Sequence, residues 1–182
     1  MGEKKSPPNL EEVAAQFPGD GAGKWMVIHT KSRQEKILAA DLDVLSVAHY
    51  LPLVRSIQYY GNRKVAVEKP LFPGYLFLRG SLDQAYQADR TKRVAHIIQV
   101  SDQKQIDWEL RNLFLALTQM APLQAYPFLK AGMRVEVRSG PFRGLQGVID
   151  ERSKNDRLIL QVNTLGRAVS LEIDGSLLEP IQ

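Results

Sequence analysis

Cysteine is absent from the 182 residues, which excludes disulfides, thiolate nucleophiles and cysteine metal ligands, and fits a reducing compartment. Histidine is scarce: His29, His49 and His96 are the only three. They form no H-E-x-x-H or comparable pair that could hold a metal, and read as ordinary sheet histidines. No Gly-x-Ser-x-Gly nucleophile elbow occurs. No run of about eighteen apolar residues is long enough to cross a bilayer. The opening MGEKKSPPNLEEVAAQFPGDGAGK lacks the apolar centre of a signal peptide, so the expectation is a cytoplasmic protein with no membrane partner. No catalytic residue, metal or cofactor is expected, because no nucleophile, acid–base pair or ligand cluster converges.

What is present is ordinary for a globular chain: 44% apolar residues, 24% charged and a net charge of +4. The charge is unevenly placed. Residues 1–23 hold two Lys/Arg against four Asp/Glu, residues 24–118 hold fourteen against nine, and residues 119–182 hold eight against seven. The positive excess in the middle segment permits a nucleic-acid partner.

The stretch with the clearest signal is Lys69 to Leu78, KPLFPGYLFL. Two prolines bracket Leu71 and Phe72, and Gly74 releases the chain into an aromatic-rich strand. Alternation sends Tyr75 and Phe77 to one face and Leu76 and Leu78 to the other, so both faces are apolar. Burial in a central strand and use of the aromatic face by a partner are both compatible with this pattern.

In chain order, residues 1–23 carry three prolines and read as a mobile leader. GDGAGK at 19–24 imitates a phosphate loop but has Pro18 and Trp25 where a glycine and a Ser/Thr are required. WMVIHT predicts a strand. The helix after it has a stripe at helical spacing of Ile37, Leu38, Asp41, Leu42 and Leu45, with Ser32 and Glu35 as its capping box. A short strand at 48–51, a hairpin turning on Gly61–Asn62, the 69–78 strand, a helix with Leu82, Ala85 and Tyr86 on one side, a strand at 93–100 and a helix at 107–117 complete the segment. This order predicts an α+β domain, an antiparallel sheet with helices packed on it, over 24–118. QMAPLQAYPFL marks a linker at 119–129. Five short glycine-punctuated strands over 130–182 predict a small β-barrel, rich in β-branched residues and therefore sheet rather than helix.

Taken together, these pieces resemble a known family. VRSGPFRGLQGVIDE at 137–151 is similar to the KOW motif, and LGRAVSLEIDGSLLEP at 165–180 resembles the strands that close the same barrel in NusG proteins. KWMVIHTKSRQEK and KPLFPGYLFL resemble the start and the central strand of the NusG N-terminal (NGN) domain. VEKPLFPGYLFL and TKRVAHIIQV are closer to the specialised, RfaH-like branch than to the housekeeping pattern, which carries an Asn-Thr-Pro-Gly-Val-like run where this chain has Thr91-Lys92-Arg93-Val94.

The resemblance implies a non-enzymatic transcription elongation and antitermination factor acting as a monomer. By it, Phe72, Tyr75 and Phe77 would line a hydrophobic concavity for the clamp helices of the largest RNA polymerase subunit, and Tyr86 and Gln87 would approach the gate loop of the second. Lys31, Arg33, Gln34, Lys92 and Arg93 would face upstream or non-template DNA. Phe142, Arg143 and Leu145 of the barrel would meet Rho or a small-subunit ribosomal protein. Alternatives are a housekeeping factor working with Rho, or a KOW-type protein that binds nascent RNA.

Overall fold

The computed structural model describes residues 10–129, 132–150 and 157–182. It begins with helix α1 (Leu10–Ala14), strand β1 (Lys24–Thr30), helix α2 (Glu35–Val44) and strand β2 (His49–Tyr50). Strands β3 (Leu53–Tyr60) and β4 (Arg63–Pro70) follow, then β5 (Tyr75–Gly80), helix α3 (Leu82–Arg90) and β6 (Val94–Gln99). After helix α4 (Gln103–Thr118) come β7 (Gln124–Tyr126), β8 (Met133–Val137), β9 (Gln146–Ile149), β10 (Arg157–Val162), β11 (Arg167–Glu172) and β12 (Leu178–Pro180). The α+β order expected from the sequence is the order observed. The chain divides into two compact units, Pro18–Lys104 and a second made of Met1–Phe17 with Gln105–Gln182.

In the Pro18–Lys104 unit the sheet order is β2-β5-β1-β6, every pairing antiparallel. Leu76 and Leu78 of β5 and Met26 and Ile28 of β1 share one face and pack with Leu38 and Leu42 of α2 and Ala85 and Ala88 of α3. Ile37 and Leu45, expected in the buried stripe of α2, stay exposed. Ala85 and Ala88, rather than Leu82 and Tyr86, form the inward face of α3 because small residues let it lie close to the sheet. The capping box also sits elsewhere. Gln34 precedes α2 without a side-chain cap. At α3, the Gln84 amide nitrogen donates to Ser81 Oγ, and the Ser81 amide donates to Gln84 Oε1. The glycine-rich 19–24 run is structural. Gly23 lies at φ +105°, where an added Cβ would meet the Gly80 backbone at 2.5 Å, so this is a close approach of two backbone segments and not a phosphate cradle.

In the second unit the sheet order is β12-β8-β9-β10-β11-β7. The five expected strands are there, and a sixth, β7, comes from the segment read as linker. It pairs with β11 through Tyr126↔Ala168 and Gln124↔Ser170. Helix α4 carries two buried polar residues that make sense only against this sheet. Asn112 Oδ1 accepts from the Gln146 amide at 2.8 Å, and the Glu109 carboxylate accepts from the Asn163 amide at 3.2 Å. Each backbone donor supplies the partner that a buried polar side chain requires. Trp108 adds a bond from Nε1 to Gln146 Oε1 at 2.7 Å, with the Arg134 guanidinium 4.5 Å from its ring. Part of the expected mobile leader is also fixed. Val13 and Phe17 are buried, and Phe17 meets the Phe114 ring at 5.4 Å and the Arg111 guanidinium at 4.8 Å.

Asn112→Ala removes the acceptor of the half-buried Gln146 amide and is expected to cost about 1–3 kcal/mol in urea unfolding. An unchanged midpoint would mean that α4 does not support this sheet. Burial pushes the Tyr50 phenol far above its ordinary value. A group raised on folding contributes stability that is complete below its unfolded value, about 10, and lost as pH rises past it. Thermal melts of Tyr50→Phe should therefore lose less stability than wild type above about pH 10. Parallel profiles would exclude Tyr50 as the source.

Candidate functional site

The sharp turn Phe72–Tyr75 is where the sheet acquires a chemistry-bearing end. Gly74 sits at φ +87°, a conformation that a side chain would strain. Its amide donates to Glu35 Oε1 at 2.7 Å, and its carbonyl accepts from the Thr30 amide at 2.8 Å. Glu35 is buried, so this charge-assisted bond clamps the turn to the first residue of α2. Tyr75 emerges from the clamp half-buried and stacks on His29, with ring centroids 5.0 Å apart and planes at 21°. His29 pairs across the strands with both Tyr75 and His96, and both histidines are exposed. A row Tyr75–His29–His96 thus crosses three strands.

Phe77 does not belong to an open surface. It is 0% exposed, and its cross-strand partners Val27 and Tyr50 are buried with it. Phe72 is buried as well. The expectation that this aromatic face stands uncovered is therefore corrected. Phe77 lies mid-strand between two paired neighbours, which makes it core, whereas Tyr75 lies at the strand end beside the turn.

The Lys31 amide donates to the Arg93 carbonyl at 2.8 Å, which draws the turn after β1 and the turn before β6 together beside Gly74. All five residues expected to face DNA therefore converge, but not all are available. Arg93 Nε donates to Asp41 Oδ2 at 2.6 Å and Arg93 Nη1 to Gln34 Oε1 at 2.8 Å. That network occupies both Gln34, expected to contact bases, and Arg93. Lys31, Arg33 and Lys92 are exposed. Arg33 and Lys92 each adopt positive φ, +59° and +62°. A non-glycine residue held there costs about 1 kcal/mol or more, strain that surrounding structure must sustain.

Tyr86 and Gln87 are both exposed on α3. Tyr86 lines a shallow cavity of about 290 Å³ with Leu82, Asp89, Val94 and His96, beside strand β6 at the edge of the sheet. In the C-terminal sheet, Arg143 is exposed and Phe142 half-buried, while Leu145 is completely buried. The Leu145 amide donates to the Phe142 carbonyl at 3.0 Å, which turns its side chain into the sheet's core and removes it as a contact residue. Among the described residues no group of three or more His, Asp or Glu could hold a metal. Sequence reasoning did not find Glu35, Asp41, His29 or His96 as parts of this end. Their partners lie 39 to 67 positions away along the chain, and only strand register and turn geometry bring them together.

A four-stranded antiparallel sheet backed by two helices, followed by a separate small sheet, places the chain among α+β proteins with an NGN-type domain and a C-terminal sheet domain. The family model described as "Transcription termination factor nusG" matches residues 23–112. The "Transcription termination/antitermination protein NusG" of Yersinia pestis is 26% identical over 160 residues, covering 82% of this chain and 86% of that protein. Its namesake from Neisseria meningitidis serogroup B is 25% identical over 174 residues, covering 87% and 98%. Among solved structures, "Crystal Structure of MjSpt4:Spt5 complex conformation B" matches at 16% identity and a TM-score of 0.29, covering 87% of this chain and 97% of that one, too loose a likeness to carry an argument. Residues 23–112 thus carry the N-terminal domain of the NusG family, whose members are transcription termination and antitermination factors and not enzymes.

Glu35→Ala leaves the half-buried Gly74 amide without its charged acceptor and is expected to cost about 1.5–3 kcal/mol, measured by urea unfolding. A cost near zero would show that the turn holds itself.

Proposed function

We propose that this chain binds bacterial RNA polymerase through its Pro18–Lys104 unit and suppresses pausing, while the C-terminal sheet recruits a second partner, Rho or a small-subunit ribosomal protein. The observation that carries this reading is the convergence at one end of the sheet of a stacked, half-exposed Tyr75 with exposed Lys31, Arg33 and Lys92. An aromatic anchor flanked by cations suits a protein surface that lies alongside a phosphate backbone. Tyr75 is the anchor for the clamp helices of the largest subunit. Phe77 and Phe72 support it from beneath. Lys31, Arg33 and Lys92 meet upstream or non-template phosphates, and Tyr86 and Gln87 face the gate loop. Phe142 and Arg143 serve the second partner.

The chain acts as an operon-specific, RfaH-like paralogue. Support for this comes from Thr91-Lys92-Arg93-Val94, which departs from the housekeeping run and here builds a strained cationic turn tied to Asp41 and Gln34. A bound factor of this kind would occupy few loci, and mapping its genome-wide occupancy distinguishes it from a housekeeping one. Tyr75→Ala should keep its fold by circular dichroism yet weaken polymerase co-purification at least about tenfold, since a buried aromatic anchor is worth about 1.5–3 kcal/mol. Phe77→Ala should instead lose about 3–5 kcal/mol of stability. Full polymerase binding by a folded Tyr75→Ala protein would remove the anchor.

A further inference from the structure

The β3–β4 hairpin is used neither by the sheet core nor by the interface just described. Its two eight-residue strands pair only with each other, from Leu53↔Pro70 at the base to Tyr60↔Arg63 at the tip. The base is secured: the Leu71 amide donates to the Pro52 carbonyl at 2.8 Å, and Lys36 Nζ donates to the Glu68 carbonyl at 2.5 Å. The tip stands clear. Gly61 has no atom near the position its Cβ would occupy, and Tyr59 and Tyr60 are 72% and 63% exposed.

Charge is concentrated on this ribbon. Residues 53–70 contain Arg55, Arg63, Lys64 and Lys69 against the single acid Glu68, a net +3 in a chain of net +4. Glu68 lies 3.8 Å from Arg55 near the base, whereas no ion pair engages Arg63 or Lys64 among the described residues. Two of the three cations left over, Arg63 and Lys64, are therefore at the tip, the third, Lys69, being at the base, and register sets each of the two directly opposite a tyrosine: Tyr59↔Lys64 on one face and Tyr60↔Arg63 on the other. Tyr60 is steadied on its face by a bond from its hydroxyl to Gln58 Oε1 at 2.8 Å. Two exposed rings, each with a cation as its cross-strand neighbour, make a repeated unit that stacks an unpaired base and neutralises the adjoining phosphate.

We propose that the tip of this hairpin binds single-stranded nucleic acid, through stacking on Tyr59 and Tyr60 and phosphate contacts from Arg63 and Lys64. A protein partner fits less well, because the large exposed apolar residues between the rings and the base, Ile57 and Val65, lie on opposite faces of the ribbon and so form no single apolar patch. The ligand chemistry is unpaired bases on a phosphodiester backbone, which either DNA or RNA supplies. The proposal does not depend on polymerase docking.

The test uses the full chain without polymerase, and fluorescence anisotropy with labelled oligothymidine, oligouridine and a DNA duplex over a range of salt concentrations. Wild type should bind a single strand more tightly than the duplex, and the two oligomers report whether DNA or RNA is preferred. Tyr59→Ala/Tyr60→Ala should weaken that binding about 10- to 100-fold, and Tyr59→Phe/Tyr60→Phe should restore most of it, since the ring and not the hydroxyl stacks. Arg63→Ala/Lys64→Ala should reduce the slope of log affinity against log salt by about 1.4. Three results would each overturn the proposal: preference for duplex, no single-strand binding by wild type, or undiminished binding by both hairpin alanine variants. If only Lys31→Ala/Arg33→Ala/Lys92→Ala abolishes binding, the strand lies on the cationic turns and not on the hairpin. Loss of polymerase binding in Tyr75→Ala leaves the hairpin result unaffected, so the two readings fail separately.

Discussion

Strand β5 is hydrogen-bonded along both edges, to β1 and β2, and its three central side chains, Leu76, Phe77 and Leu78, are wholly buried. A strand paired along its whole length with β1, joined at Phe77 and Leu78 by β2 and buried on both faces has no latitude in register, because a one-residue slip would exchange leucine and phenylalanine between faces. Everything at the functional end of the unit is measured from it. The Gly74 turn begins where β5 begins, Tyr75 is its first residue, and His29 and His96 take their places by pairing outward from it.

That rigidity explains how strained cations are held beside the turn. Arg33 and Lys92 sit in a backbone conformation that costs free energy, and three bonds offset it: Thr30 to Gly74, Lys31 to Arg93, and Arg93 to the Asp41 carboxylate. Arg93 is consumed in this task. The division of labour is physical: a guanidinium presents several donors in one plane and can bridge Asp41 and Gln34 together, so it braces the site, while neighbouring lysines on mobile stems remain in solvent. Beyond this end, the hairpin projects as a ribbon whose own stability comes from cross-strand pairs and whose base alone is anchored.

The C-terminal sheet depends on a different device. Glu109 and Asn112 lie on the buried side of α4, where a periodicity argument would place only apolar residues, and each receives a backbone donor from a sheet loop or strand. A polar pair of this kind specifies one seating of helix on sheet more narrowly than leucines would, since any shift leaves the two buried side chains, Glu109 and Asn112, without these partners. The same sheet gains β7 from a stretch with two prolines and no clear period. Three residues are too short a run to show alternation, and they become a strand only because β11 offers an edge to pair with.

Local chemistry accounts for what was legible in the sequence. Alternation over Tyr75 to Leu78, the Gly61–Asn62 turn and the glycine-spaced β-branched runs act between near neighbours, so the α+β order and the two sheets follow from the residues alone. Burial at a given position does not. Whether Phe77 or Tyr75 faces solvent, whether Leu145 points inward and whether Arg93 is free all depend on what lies across a strand or a turn, at separations where no local pattern reaches. Charge composition made a basic protein evident, but its concentration on a free-standing ribbon and three exposed turn residues was decided by tertiary structure, because only folding determines which cations meet a carboxylate and which are left to water.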